Sequence, residues 1–285
     1  MSIRIGTCSW KYDSWKGIVY PNLDNINYLE YYSKLYDTVE IDQWFWSLFD
    51  SKKILLPNTS DVISYSNSVP ENFKFTIKIP NSITLTHFYN KEKNSPLIPN
   101  PYFLNTELFN KFIDILAPMK NKIGLLMFQF EYLNKQKLSG LNEFIDLFEN
   151  FFNSISFNFN FGIEIRNPNF LNKNFFLFLK RNKLSMVFLQ GYYMPNIWEI
   201  FYQFQDELVS PLVIRLHGKD RSGIEEKSKG KWNKIIEPQD DEISKIIEMI
   251  KLLDEKQVDI YLNVNNHYEG SAPLTIKKIK ALMHS

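Results

Sequence analysis

Eight short apolar runs, separated by longer segments of helical periodicity, constrain this chain more than any other feature. The runs are IRIGTC (3–8), TVEID (38–42), FKFTIKI (73–79), IGLLMFQF (123–130), FGIEIR (161–166), LSMVFLQ (184–190), LVIRLHG (212–218) and DIYLNVN (259–265). Between them, NYLEYYSKLYD, LFNKFIDILAP, LNEFIDLFENFF, FFLFLKRN and DDEISKIIEMIKLLDEK place apolar residues three and four apart, as amphipathic helices do. Alternating strands and helices call for parallel βαβ units, and eight strands call for closure into a TIM-barrel-like (β/α) barrel. The 285 residues fit one such domain over 1–285, and a hydrophobic fraction of 44% supplies its core. Asp240 and Asp241 stand where an N-cap is wanted, and Lys180 and Arg181 close their helix favourably for its dipole. A last helix begins near Pro273. The stretches 89–103 and 191–211 lack a clear period and read as long loops.

A second periodicity lies inside the strands, where side chains alternate between faces. Glu40 and Asp42 oppose Val39 and Ile41, and Lys74, Thr76 and Lys78 oppose Phe75, Ile77 and Ile79. Glu164 and Arg166 oppose Ile163 and Ile165; Arg215 and His217 oppose Ile214 and Leu216; Tyr261, Asn263 and Asn265 oppose Leu262 and Val264. In a barrel the outward face packs on helices, so the polar parity points inward, toward the ends where barrels build active sites. Buried charges of this kind are costly unless they pair with one another or bind something. Two plainer readings account for the same pattern. An antiparallel sheet with one wet face alternates in the same way, and Glu40, Glu164, Arg166 and Arg215 can serve solely as an internal salt-bridge network.

A net charge of +1 gives no global pull toward nucleic acid or membrane, so any anion preference is local. The single cysteine, Cys8, rules out an intramolecular disulfide and any metal site built on several cysteines. No signal peptide and no membrane-length apolar run is visible, so the expectation is a cytoplasmic protein without membrane contact. There is no GxGxxG, P-loop or HExxH. The cations Lys78, Arg166 and Arg215 compete for the carboxylates a metal needs, which argues against a metal site. The sequence names no cofactor.

Three groups of residues carry the candidate chemistry. Glu40, Glu164, His87 and His217 form an acid–base set, in which Glu40 or Glu164 serves as base and His217 as proton donor. Lys78, Arg166, Arg215, Asn265 and Asn266 form a cationic and amide-rich set. The loops HGKDRSG and NNHYEGSA follow strands seven and eight, where many barrels hold phosphate, and Gly270–Ala272 lead into a helix start. Trp10, Tyr12, Trp15, Tyr20, Trp44, Trp46, Tyr192, Tyr193 and Tyr268 form an aromatic rim able to stack on bases or sugars.

The opening IGTCSWKYDSWKGIVYP followed by VEIDQWFW resembles the start of the YecE-like family, domain of unknown function 72. Lys78, Thr86-His87, Gln129-Phe130, Glu164-Ile165-Arg166-Asn167, Arg215-Leu216-His217-Gly218 and Asn265-Asn266 with Gly270 and Ala272 match further motifs of that family in order. The resemblance implies a TIM-barrel-like fold and adds Gln129 to the candidate ligand-binding residues; it brings no established activity. Asp42 and Trp44 stand where the family carries Asn and Thr, Glu131 where it carries Pro, and the run at 184–190 lacks its usual acidic residue. Three functions remain open: a small anionic ligand, phosphorylated or nucleotide-like, bound with or without acid–base catalysis; nucleic-acid binding or processing; and a non-catalytic metabolite sensor or scaffold.

Overall fold

The computed structural model describes residues 2–50, 53–89 and 96–283. Eight strands form one parallel sheet: β1 Ile3–Thr7, β2 Thr38–Ile41, β3 Lys74–Lys78, β4 Ile123–Gln129, β5 Phe161–Glu164, β6 Ser185–Gly191, β7 Leu212–Gly218 and β8 Ile260–Val264. Their order is β1-β8-β7-β6-β5-β4-β3-β2, so each strand lies beside its sequence neighbour and the sheet curls into a nearly closed barrel. Helices follow the strands on the outside, among them Thr106–Ile115, Leu141–Asn153, Lys173–Arg181, Asp240–Glu255 and Ala272–Met283. All eight expected strands are present, and the fold is the TIM-barrel-like one that strand–helix alternation calls for.

The barrel is sealed differently at its seam. β1 and β2 are the two ends of the hydrogen-bonded order, and a phenol bridges them. The Tyr32 hydroxyl accepts from the Thr7 amide at 2.9 Å and donates to the Thr38 carbonyl at 3.1 Å, with the ring fully buried. The approach is close at Gly6, where a Cβ would lie 2.0 Å from the Thr38 carbonyl oxygen. Only glycine fits there.

Inward- and outward-facing residues separate as the parity requires. Val39, Ile41, Phe75, Ile77, Ile163, Ile214, Leu216, Leu262 and Val264 join the large core between sheet and helices. Leu125, Met127, Val187, Val213 and Tyr261 form a second apolar cluster inside the barrel. This plug fills the interior below the charged residues, so the barrel is a packed core rather than a pore.

Two local expectations are corrected, and one loop expectation holds where the chain is described. The 191–211 segment contains the helix Ile197–Phe204 and a short 3-10 turn, Gln205–Glu207. Its apolar residues Ile197, Ile200, Phe201 and Phe204 are buried, so the helical period is present but compressed into eight residues. The 89–103 stretch stays without helix or strand where it is described, bridged once between His87 and Pro99; residues 90–95 lie outside the described residues. Asp240 and Asp241 sit in the first helical turn rather than at the N-cap, which is Gln239. The carboxylates still face the positive end of the dipole. A small antiparallel hairpin, Leu48–Asp50 with Lys53–Ile54, is an element the sequence pattern did not announce.

Candidate functional site

At the carboxyl end of the barrel interior, Arg215 on β7 is held between two carboxylates. Its Nε and Nη2 donate to Glu40 Oε2 and Oε1, both at 2.7 Å, and its Nη1 donates to Glu164 Oε2. Gln129 Oε1 accepts from the same Nη1 at 3.4 Å. Asn263 on β8 ties the clamp to β3, donating to Glu40 Oε2 at 3.3 Å and to Thr76 Oγ1 at 2.9 Å. All six residues are buried. The pattern follows from position: each side chain lies on the inward parity of its strand, and neighbouring strands bring them level. Register pairs Glu40 with Thr76, Gln129 with Glu164, and Arg215 with Asn263.

This clamp is a fixed ionic unit. Burial alone would raise the Glu164 carboxyl, but Arg215, Arg166 and Lys78 outweigh it and hold the group below the usual range. The Arg215 guanidinium, despite its burial, is held firmly charged by Glu164 and Glu40. A carboxylate so locked is a poor proton carrier, and an arginine with both edges occupied has little left for an outside anion. The base role expected for Glu40 and Glu164, and the anion-holding role expected for Arg215, therefore meet groups already satisfied inside the fold.

Above the clamp lie residues at the very ends of the strands: Cys8, Asp42, Lys78, Arg166 and His217. Lys78 ends β3, and its ammonium stands 4.1 Å from the ring centroid of Phe45. It is buried and makes no hydrogen bond or close ion pair with any described residue. Burial, followed by the repulsion of Arg215, lowers its pKa to about 8. Asp42, one residue past β2 and partly exposed, is pushed in the opposite sense. Burial and then the Glu40 carboxylate raise its pKa to about 6. Arg166 gives its Nε to Glu164 Oε1 at 3.0 Å and lies over the Tyr192 ring at 5.1 Å; its terminal nitrogens make no hydrogen bond to described residues.

His217 belongs to this mouth. Burial, then Arg215, Arg166 and Lys78, depress its pKa well below the ordinary value. The imidazole is neutral, with Nδ1 3.3 Å from the Tyr192 hydroxyl and Nε2 3.6 Å from the Cys8 sulfur. The Cys8 thiol is itself raised, first by burial and then by Glu40, so it is a neutral partner and not a thiolate.

Other expected residues are placed elsewhere or engaged in structure. His87 lies at the rim, its Nδ1 2.9 Å from Thr86 Oγ1, and its electrostatic neighbours are Lys137 and Glu131 rather than the clamp. Asn266 is buried and accepts from the Ala272 amide at 2.9 Å, the helix-start donor to which an anion would bind. Asn265 accepts from the His267 amide at 3.0 Å. The other helix start, after β7, is capped by Asp220, which accepts from Gly223 at 2.9 Å. Both turns expected to hold phosphate thus cap themselves. Trp15 is fully buried in the core, so its ring offers no face to a ligand. Trp10, Tyr20, Trp44 and Tyr268 are buried as well; Trp46 and Tyr193 are the strongly exposed members of the expected rim, at 66% and 60%. No group of three or more His, Cys, Asp and Glu side chains suited to a metal occurs among the described residues. None of their helices is long and apolar enough to cross a membrane.

Sequence reasoning named Lys78, Arg166 and His217 but passed over the proton chemistry of Asp42 and the part of Asn263 and Thr76 in the clamp. The strand parity marked all three as inward-facing. What it lacked was the environment that separates a paired carboxylate from an unpaired one.

Comparison with known proteins places the chain in a family. Residues 4–285 match the model of the protein family of unknown function DUF72. Among solved structures, a DUF72 family protein from Thermotoga maritima MSB8 superposes with a TM-score of 0.67 at 16% identity, covering 100% of both chains. A DUF72 family protein from Enterococcus faecalis V583 gives a TM-score of 0.67 at 18% identity, covering 100% of this chain and 96% of the other. No curated protein sequence matches the chain. At such identities the superpositions speak for the fold alone. The family match runs over nearly the whole length and agrees with the ordered motifs from the opening strand to Asn265-Asn266: the chain is a member of the DUF72 family.

Proposed function

We propose that the mouth of this barrel binds a small anionic ligand, phosphorylated or nucleotide-like, through Lys78 and the free edge of Arg166. The observation that carries the reading is the unpaired burial of Lys78. An ammonium removed from water with no carboxylate in ion-pair contact is a standing cost, which Glu40, Asp42 and Glu164 offset only in part from a distance. Here that cost is visible in a pKa depressed to about 8. A phosphate group against Lys78 and Arg166 would supply the missing counter-charge, and Arg166 presents two donors suited to it. The clamp below keeps the mouth from collapsing onto itself, because Glu40 and Glu164 are already committed to Arg215.

Acid–base catalysis, where it occurs, falls to Asp42 and Lys78. With pKa values near 6 and near 8, Asp42 is ionised and Lys78 protonated over the interval between them. A base and an acid brought that close to neutrality are the pair proton transfer needs. Neutral His217 beside them can donate or accept one hydrogen bond without bringing charge.

The test is calorimetric titration with inorganic phosphate, sugar phosphates and nucleoside monophosphates at pH 8, in two buffers of different ionisation enthalpy. Binding accompanied by proton uptake, and lost in Lys78→Met, is the expected result. Binding that survives Lys78→Met and Arg166→Gln, or no binding by any of these anions, overturns the proposal.

A further inference from the structure

Beside the mouth, a cleft of about 450 Å³ opens between the loops after β1 and β2 and the helix Thr59–Asn67. We infer that this cleft is a separate subsite for a neutral, polyhydroxylated group, a sugar ring, read by Gln43 and Tyr65. The inference does not depend on the anion site at Lys78.

The argument begins with the chemistry of the walls. Gln43, Tyr65, Ser64, Ser68 and Asn27 contribute amides and hydroxyls, and the single charged side chain lining the cleft is that of Lys11. Within the wall, Gln43 Nε2 donates to the Tyr65 hydroxyl oxygen at 2.8 Å. That contact leaves the Gln43 amide oxygen as an acceptor and the Tyr65 O–H as a donor, side by side. A sugar hydroxyl is both donor and acceptor, and two adjacent hydroxyls meet such a pair at once. A phosphate, which only accepts, would leave the Gln43 oxygen facing another acceptor. A second relay fixes the opposite wall, Asn27 Nδ2 to Ser68 Oγ at 2.8 Å and Ser68 Oγ to the Ser64 carbonyl at 2.7 Å.

Aromatic geometry then distinguishes a sugar from a nucleobase. A base needs an open ring face to stack on. Trp44 already lies flat on Tyr65, 5.5 Å between centroids and 11° between planes, and Trp10 meets Tyr65 edge-on at 5.0 Å and 89°. Trp10 is only 5% exposed. Together with Tyr28, which lines the same cleft and meets Tyr20 edge-on at 4.8 Å and 79°, this cluster offers an apolar floor against which the C–H side of a sugar can pack while its hydroxyls reach Gln43 and Tyr65. Gln43 follows Asp42 and Ser9 follows Cys8, so the cleft adjoins the mouth and a single ligand could carry a sugar here and an anion there.

Titration by calorimetry and saturation-transfer NMR with methyl glycosides of glucose, galactose, mannose and xylose, alongside adenosine and uridine, tests the subsite. Saturable binding of at least one glycoside is expected, weakened fivefold or more in Gln43→Ala. Gln43 is exposed, so its variant should fold, and circular dichroism would check that it has. Absence of saturable glycoside binding, binding of the nucleosides in preference, or unchanged affinity in folded Gln43→Ala each overturns the inference. Because inorganic phosphate reports on Lys78 separately, failure here is distinguishable from failure at the mouth.

Discussion

Glu40 on β2 and Arg215 on β7 meet across the barrel interior in a two-point contact, both N–O distances 2.7 Å, with neither side chain more than 2% exposed. The same guanidinium reaches Glu164, so two buried carboxylates depend on one cation. Removing that cation leaves uncompensated charge in the interior, which costs far more than the pair contributes in place. Arg215→Leu is therefore expected to lose about 3–5 kcal/mol of unfolding free energy in urea denaturation. Glu40→Gln keeps the shape and leaves Arg215 paired with Glu164, so its loss should be clearly smaller. Equal losses from the two variants would contradict the clamp as the organising unit.

Lys78 carries the opposite expectation. Its pKa falls from 10.5 in the unfolded chain to about 8 in the folded one. Below pH 8 both states hold the proton and folding bears the burial of the charge. Between pH 8 and 10.5 the folded state releases it first, the unfolded state binds more protons, and stability rises with pH. Replacing Lys78 with methionine removes the charge and keeps the length. Lys78→Met should be more stable than the parent at pH 7, by up to about 3 kcal/mol from the size of the shift. The advantage should vanish toward pH 10.5. A variant less stable than the parent at pH 7 would mean that Lys78 is paired.

The pH dependence of anion binding follows from the same two groups. Asp42 ionises near pH 6 and adds a negative charge at the mouth; Lys78 loses its positive charge near pH 8. Affinity for sulfate, which keeps its own charge throughout this range, should fall in two steps as pH rises. Asp42→Asn should abolish the lower step and leave the upper one. Calorimetry from pH 5 to 9 checks it, and a lower step persisting in Asp42→Asn would assign that step to another group.

Most of the barrel was legible in the sequence because period-2 and period-3.6 patterns report directly on which face is buried. Glu40, Glu164 and Arg215 were visible for that reason, as polar residues on the inward parity. Their roles were not. Whether Arg215 faces an outside anion or two carboxylates of the same chain depends on how strands 2, 5 and 7 converge, and no local window contains that. His217 shows the same limit: its position at a strand end is local, whereas its low pKa comes from burial and from Arg215, Arg166 and Lys78. Asn266 was read as ligand-facing from its motif, yet its amide oxygen is spent on Ala272 six residues later. The compressed helix Ile197–Phe204 escaped notice because eight residues give barely two turns of period.

The β1–β2 seam offers a last expectation, one on the fold rather than the site. Tyr32 closes it with a single hydroxyl, accepting from Thr7 and donating to Thr38, in the region where Gly6 allows the strands to touch. Tyr32→Phe keeps the ring and its packing against Tyr36, stacked at 4.6 Å, and deletes only the oxygen. The Thr7 amide and the Thr38 carbonyl then lose this partner in a buried setting. The expected cost is about 1–3 kcal/mol in equilibrium unfolding, the range for stranding buried polar groups. Hydrogen exchange should localise the effect, with faster exchange at Thr7 and little change at the β4–β5 interface, where ladder bonds are intact. Uniform acceleration around the whole barrel would show that the seam is no weaker than the rest and that Tyr32 acts through packing alone.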